Sequence, residues 1–307
     1  MQELCSAQDA RIECLPDFVS VVASLSSLQR ADYFHDPLFY YRGQSNCDYE
    51  LTPTLGRYVN RETKNQFALF EREIIHKVQC EYPQQFPLGL QPFALLTELQ
   101  HLGIPTRLLD ITSNALVALY FAVCSSADKD GEVVVFKVDG IHTGLEPVIN
   151  AIASTYSISH CGMPYANFFK AANLGHPSYR ISRVGPMMAE TLLKKRYFVQ
   201  PQLQSLRQKV QSSAFILFTN ASIVDEHGDE CGIGDRILPI EKQPNEILQR
   251  IIIPANAKMN MLSELRFFGI DDIHLFPENI DNGCKKITSH FAERLSSNDK
   301  CLHDMIG

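Results

Sequence analysis

No run of the 307-residue sequence approaches the roughly 18 uninterrupted apolar residues that a membrane-spanning helix needs. The first fourteen residues carry acids and lack the apolar stretch of a secretion signal, so the expected location is the cytoplasm, with no membrane partner. A basic field is missing too. The formal net charge is −7 and the pI is near 5.8, which argues against general, salt-dependent attachment to nucleic acid but leaves room for a local basic pocket. The nine cysteines include no C-x-x-C pair, and no histidines stand at zinc-finger spacing, so no metal site is expected and the thiols should be reduced. Also absent are G-x-x-x-x-G-K-[ST], G-x-S-x-G and H-E-x-x-H, and Gly228 to Gly234 does not read as a dinucleotide fingerprint. Kinase, P-loop, serine-hydrolase and zincin chemistries are therefore set aside. No internal repeat is present.

What remains is an ordinary globular composition, 45% hydrophobic and 21% charged, long enough for one large domain or two small ones without disulfide or metal staples. Apolar spacings of three and four predict helices over 17–30, 61–81, 91–102, 258–268 and 282–295, and a buried helix over 115–123. Short β-branched or aromatic runs predict strands at 38–43, 132–138, 214–218, 248–253 and 273–276. Residues 226–235 read as a glycine- and acid-rich loop, and the weak periodicity of 141–196 marks a variable insertion. The expected fold class is α+β, a mixed sheet flanked by helices. Residues 1–35 would form an N-terminal helical segment, 36–140 a motif-dense region, and 141–307 the rest of the same domain.

Chemistry concentrates in two places. Tyr41-Arg42-Gly43-Gln44 ends a hydrophobic strand with an arginine beside a glycine. Such a guanidinium can clamp phosphate or carboxylate at two points, and the glycine would let a ligand approach the backbone; the alternative is an arginine that ties down carbonyls. Between Gln100 and Asn114 lie Gln100, His101, Thr106, Arg107, Asp110 and Thr112, compressed between two apolar helices. Buried polar groups need partners, so these residues either line a cleft or form a capping network with Arg107 and Asp110 as an ion pair. His101 reads either as an acid or base or as a hydrogen-bonded core residue.

Tyr41-Arg42-Gly43-Gln44, the run from Leu51 to Arg57, Glu73, the block from Leu99 to Thr112 and Ala118 to Ala122 together resemble the FRG domain, named for its (F/Y)-R-G tripeptide. The resemblance spans Phe39 to Val138, making 36–140 the signature region, with weaker echoes at Arg207, Gln211, Phe215, Leu248 to Pro254 and Leu275 to Pro277. The order of Arg42, Thr112 and Ser113, Ala118, Phe121 and Ala122, and the strand from Val133 is in turn similar to that of ADP-ribosyltransferases. That resemblance implies NAD as the cofactor, with Arg42 holding it and a late acid gripping the nicotinamide ribose; Glu190, Glu230 and Glu241 are candidates, and Gln211 is a non-acidic substitute. The implied site has Asp110, His101 and Gln211 as catalytic residues and Arg42, Gly43, Gln44, Gln100, Thr106, Arg107 and Thr112 as ligand contacts. The alternative is a ligand-binding or interaction module without turnover, a component of a bacterial defence or toxin system. A nucleic-acid-acting toxin is less favoured, resting on the basic-aromatic run Lys194 to Phe198 with Arg207 and Lys209.

Overall fold

The computed structural model describes residues 9–25, 38–60, 65–158, 162–165, 167–168, 170, 186–202, 205–224, 226–227 and 230–277. Its strands are β1 (Ala10–Arg11), β2 (Leu38–Gln44), β3 (Tyr58–Asn60), β4 (Asn65–Gln66), β5 (Leu108–Thr112), β6 (Gly131–Val138), β7 (His142–Thr143), β8 (Tyr197–Gln200), β9 (Ser213–Leu217), β10 (Ser222–Val224), β11 (Glu230–Ile233) and β12 (Gln249–Ile253). The helices with described bounds are α1 (Leu15–Leu25), α2 (Glu71–Glu81), α3 (Pro92–His101), α4 (Ala115–Val123), α5 (Pro147–Ala153), α6 (Thr155–Ile158), α7 (Pro186–Leu193), α8 (Leu206–Val210), α9 (Lys258–Phe267) and α10 (Asp272–Leu275).

Eight strands form one mixed sheet in the order β1-β12-β6-β2-β5-β9-β8-β7, parallel only at β1–β12 and β7–β8. Alternation along the central strands sends side chains to both faces, and both faces are covered. On one face Tyr41, Val133, Val135, Ile251 and Ile253 pack under α1, α4 and α9. Leu108, Phe215, Leu217, Tyr197 and Val199 pack under α2, α3, α5 and α7. On the other face Tyr40, Leu109, Ile111, Val134, Phe136 and Ile216 are covered by irregular chain bearing Leu51, Leu55, Ile237 and Ile240. The α+β class and the flanked mixed sheet are therefore as read from the sequence. Described parts of 141–196 supply Ile149, Ile152, Ala153, Ala189 and Leu193 to the core, so weak periodicity there does not mean absence of packing.

Several elements differ from the sequence reading. The helix expected from Arg61 begins only at Glu71: Asn65–Gln66 pair with β3, and Phe67–Phe70 form a 3-10 turn. The Gln66 amide exchanges two hydrogen bonds with the backbone of Ile237, at 3.0 and 2.9 Å, and this tether outweighs the helical spacing of the apolar residues around it. Within the loop expected at 226–235, Glu230–Ile233 is strand β11, paired antiparallel with β10. The strand expected at 273–276 is a helical turn instead, because Asp271 caps it by accepting from the backbone N–H of His274 at 2.9 Å. The helix expected at 282–295 lies outside the described residues.

Candidate ligand-binding cleft

The cleft forms where the sheet parts. β2 pairs with β6 along its whole length but meets β5 only at Tyr41 opposite Thr112, after which the two strands diverge. The gap lies between the two helical packs, and Asp110, in the middle of an internal strand whose other residues are buried, is left exposed there. Arg42 bridges the splay by donating from Nη1 to the Asp110 carbonyl at 2.6 Å, standing in for a missing ladder bond.

The cavity has a volume of about 250 Å³ and is lined by Arg42 and Gly43 of β2, Gln100 and His101 of α3, Asp110 and Thr112 of β5, Phe121 of α4, and Arg207 and Gln211 at α8. Asp110 is held by a relay: Thr106 donates its hydroxyl to Gln100 Oε1 at 2.6 Å, orienting the amide so that Gln100 Nε2 donates to Asp110 Oδ2 at 2.9 Å. Thr112 gives its hydroxyl to the Gln211 carbonyl at 2.6 Å and accepts from the backbone N–H of Asn114, which itself caps α4. Gln211 Nε2 donates to the Leu275 carbonyl at 3.0 Å, and the Arg207 guanidinium stacks 4.7 Å from the Phe276 ring.

Arg42 is the least compensated charge in the site. Among the described residues no carboxylate is within ion-pair distance of it, and its Nε is sealed from solvent without a hydrogen-bond partner. Burial pushes its guanidinium below the ordinary value; the negative field of Asp110 opposes this, and the nearby Arg57 adds to it.

The structure brings Arg42, Gly43, Gln100, His101, Asp110, Thr112 and Gln211 together around one cavity. Thr106 acts one step back, through Gln100, and Gln44 lines a neighbouring chamber. Arg107 is elsewhere, and the expected pair with Asp110 does not form. Three positions is an odd separation along extended chain, so the two side chains leave on opposite sides. Arg107, 1% exposed, forms a two-point ion pair with Glu71, with Nε donating to Oε1 at 2.8 Å, and also donates from Nη1 to the Phe218 carbonyl and to Asn220 Oδ1. Gly43 serves packing: a Cβ there would lie 1.8 Å from the Ala118 carbonyl of α4. Among the late acids, Glu190 and Glu230 are both bound to Lys194, and Arg196 is bound to Glu246, so two cations of the basic run are paired within the fold.

Sequence reasoning missed Phe121, Arg207 and Ser213 as cleft walls, and it missed Glu132. That carboxylate is wholly buried at the head of β6 and is shared by Lys242 and by Arg250, the latter at 2.9 Å. An acid opening a β-branched run was the only available signal for it. A family model of the FRG domain matches residues 38–131, which include every β2, α3 and β5 residue of the cleft but neither Arg207 nor Gln211. No curated protein and no solved structure matches the chain.

Proposed function

We propose, from the premise that the chain carries an FRG domain at residues 38–131, that its cleft binds a phosphate-bearing nucleotide, NAD foremost, and handles it as ADP-ribosyltransferases do. The observation that carries this reading is Arg42: a strand-fixed guanidinium at the edge of a cavity, with no carboxylate within ion-pair distance among the described residues. A guanidinium meets phosphate oxygens at two points, and a buried cation without a counter-ion gains most from an anionic ligand.

The residues around it suit the chemistry of a ribosyl–nicotinamide bond. When that bond breaks, its electron pair leaves with nicotinamide and positive charge develops on the sugar. Asp110, aimed by the Gln100 amide, is placed to stabilise that charge. As an acceptor oxygen closes on the sugar carbon, its proton passes to a base, the part we give to His101. With its amide nitrogen committed to Leu275, Gln211 offers its amide oxygen to a ribose hydroxyl in the place of a late acid.

A second reading, a nucleotide-binding module without turnover in a defence or toxin system, is favoured by one observation. Asp110 is the single carboxylate among the residues lining the cavity. Incubation with NAD followed by mass spectrometry separates the two readings. Turnover predicts nicotinamide release by the wild type and its loss in Asp110→Asn at an unchanged melting temperature, since Asp110 is exposed and Asn retains an acceptor for Gln100. Binding without products supports the module, and absence of binding removes both readings.

A further inference from the structure

The charge around the cleft runs against that of the chain. On a molecule with a formal net charge of −7, the cavity is lined by two arginines, Arg42 and Arg207, against one carboxylate, Asp110. The strand order β2-β5-β9 sets the two arginines apart. Arg42 stands on β2, Arg207 stands on α8, which leads into β9, and Asp110 lies on β5 between them. Arg207 falls outside the stretch that matches the FRG family model, so the resemblance gives it no role in the cleft.

Its position is fixed in advance. A capping box sets the start of α8: Ser205 Oγ accepts from the Gln208 backbone N–H at 3.2 Å, and Gln208 Oε1 accepts from the Ser205 backbone N–H at 2.9 Å. At the far end the Gln211 carbonyl accepts from the Thr112 hydroxyl of β5. The half-buried Arg207 side chain lies against Phe276, its guanidinium carbon 4.7 Å from the ring centre. Phe276 is braced in turn by Phe121 of α4, which meets it at 88° with ring centres 6.2 Å apart, and the carbonyl of its neighbour Leu275 accepts from Gln211 Nε2. Phe276 is not itself part of the cavity lining, and it acts on the cleft through Arg207 and Phe121.

Stacking occupies a face of the guanidinium, whereas its N–H donors lie in the plane, so the contact with Phe276 orients Arg207 and spends none of them. Arg42 is anchored differently, by Nη1 donating to the Asp110 carbonyl. Each guanidinium is thus held on its own side of β5. β2 and β9 are two inter-strand spacings apart, roughly 10 Å, and more where β2 and β5 diverge. A phosphate gripped at two points by Arg42 leaves the opposite wall to a second anionic group. Resting on the nucleotide reading of this cleft, we propose that Arg207 is a second ligand-binding residue that takes the further phosphate of a pyrophosphate, with Phe276 as its positioning residue. The ligand class is then a nucleoside diphosphate or a dinucleotide in preference to a monophosphate, its two phosphates lying across β5 between two arginines.

The test is calorimetric titration of wild type, Arg207→Gln, Arg207→Lys, Phe276→Leu and Phe276→Tyr with NAD, ADP and AMP, with melting curves of the free proteins. Wild type should bind NAD and ADP more tightly than AMP. Arg207→Gln should lose roughly tenfold or more in affinity for NAD and ADP, the worth of a charge-assisted hydrogen bond, and keep its affinity for AMP, which also shows that the cleft is folded. Phe276→Leu should lose roughly two- to fivefold on the same two ligands alone, and Phe276→Tyr, which keeps an aromatic face, should bind as wild type does. If Arg207→Gln melts early, Arg207→Lys carries the same comparison, because it keeps the charge and loses the planar fork. If wild type binds these nucleotides and no Arg207 variant separates NAD and ADP from AMP, the pyrophosphate role of Arg207 is refuted while the nucleotide reading stands. A loss in Phe276→Leu that falls equally on AMP, or that tyrosine does not restore, overturns the positioning role. If wild type binds none of the three, both proposals fall together.

Discussion

Arg107 and Arg42 come from equally arresting stretches of sequence and end in opposite circumstances. Arg107 has a full set of acceptors, two oxygens of Glu71 among them, in a place shut off from solvent. A buried pair of this kind stabilises little in net terms, but removing one partner strands the other as an uncompensated charge. Glu71→Gln is therefore expected to lower stability by about 3–5 kcal/mol in chemical denaturation. A loss below about 1 kcal/mol would show that the pair is relieved by solvent or by relaxation. Arg42 has one carbonyl and a sealed, unpaired N–H. The first arginine serves the scaffold, and the second is the one to which the proposed function gives the ligand.

At the scale of elements, the cleft depends on how closely α4 is seated on β2. Gly43 permits it: any side chain there would drive into the Ala118 carbonyl, which is backbone and cannot swing aside. Gly43→Ala should cost at least about 3 kcal/mol, more than ordinary overpacking, and a melting temperature near that of wild type would contradict the close approach. Elements with strong local patterns were legible in the sequence. The Val-rich β6, the all-apolar α4 with its Asn114 cap, and α3 ended by Gly103 at φ +82° all stand where periodicity and punctuation place them. Elements decided by distant partners were not. The start of α2 is set by a tether from Gln66 to Ile237, some 170 positions away, and the helical turn at Asp272 by a cap that outweighs its β-branched neighbour. The site divides in the same way. Arg42, Gln100 and Asp110 stand out by their density of polar groups near apolar segments. Thr52, Arg57, Phe121 and Arg207 stand in stretches that carry the family resemblance, but they reach the cavities only through tertiary folding, and nothing local marks them as cavity walls. The Arg107–Asp110 pair was misread because closeness in sequence was given more weight than strand alternation.

For the molecule as a whole, a sheet that is continuous on either side of β2 and β5 comes apart between them, and two helical packs leave that seam open. Binding sites in layered folds occupy such discontinuities because backbone and side-chain polar groups are left there without ladder partners. The central claim is that Arg42 at this seam grips phosphate. Calorimetric titration of wild type and Arg42→Lys with NAD tests it most directly, because lysine keeps the charge and loses the two-point geometry. The account predicts that wild type binds NAD and that Arg42→Lys binds it at least about tenfold more weakly, the worth of one or two charge-assisted hydrogen bonds. No binding by wild type at millimolar NAD, or equal binding by Arg42→Lys, would contradict it.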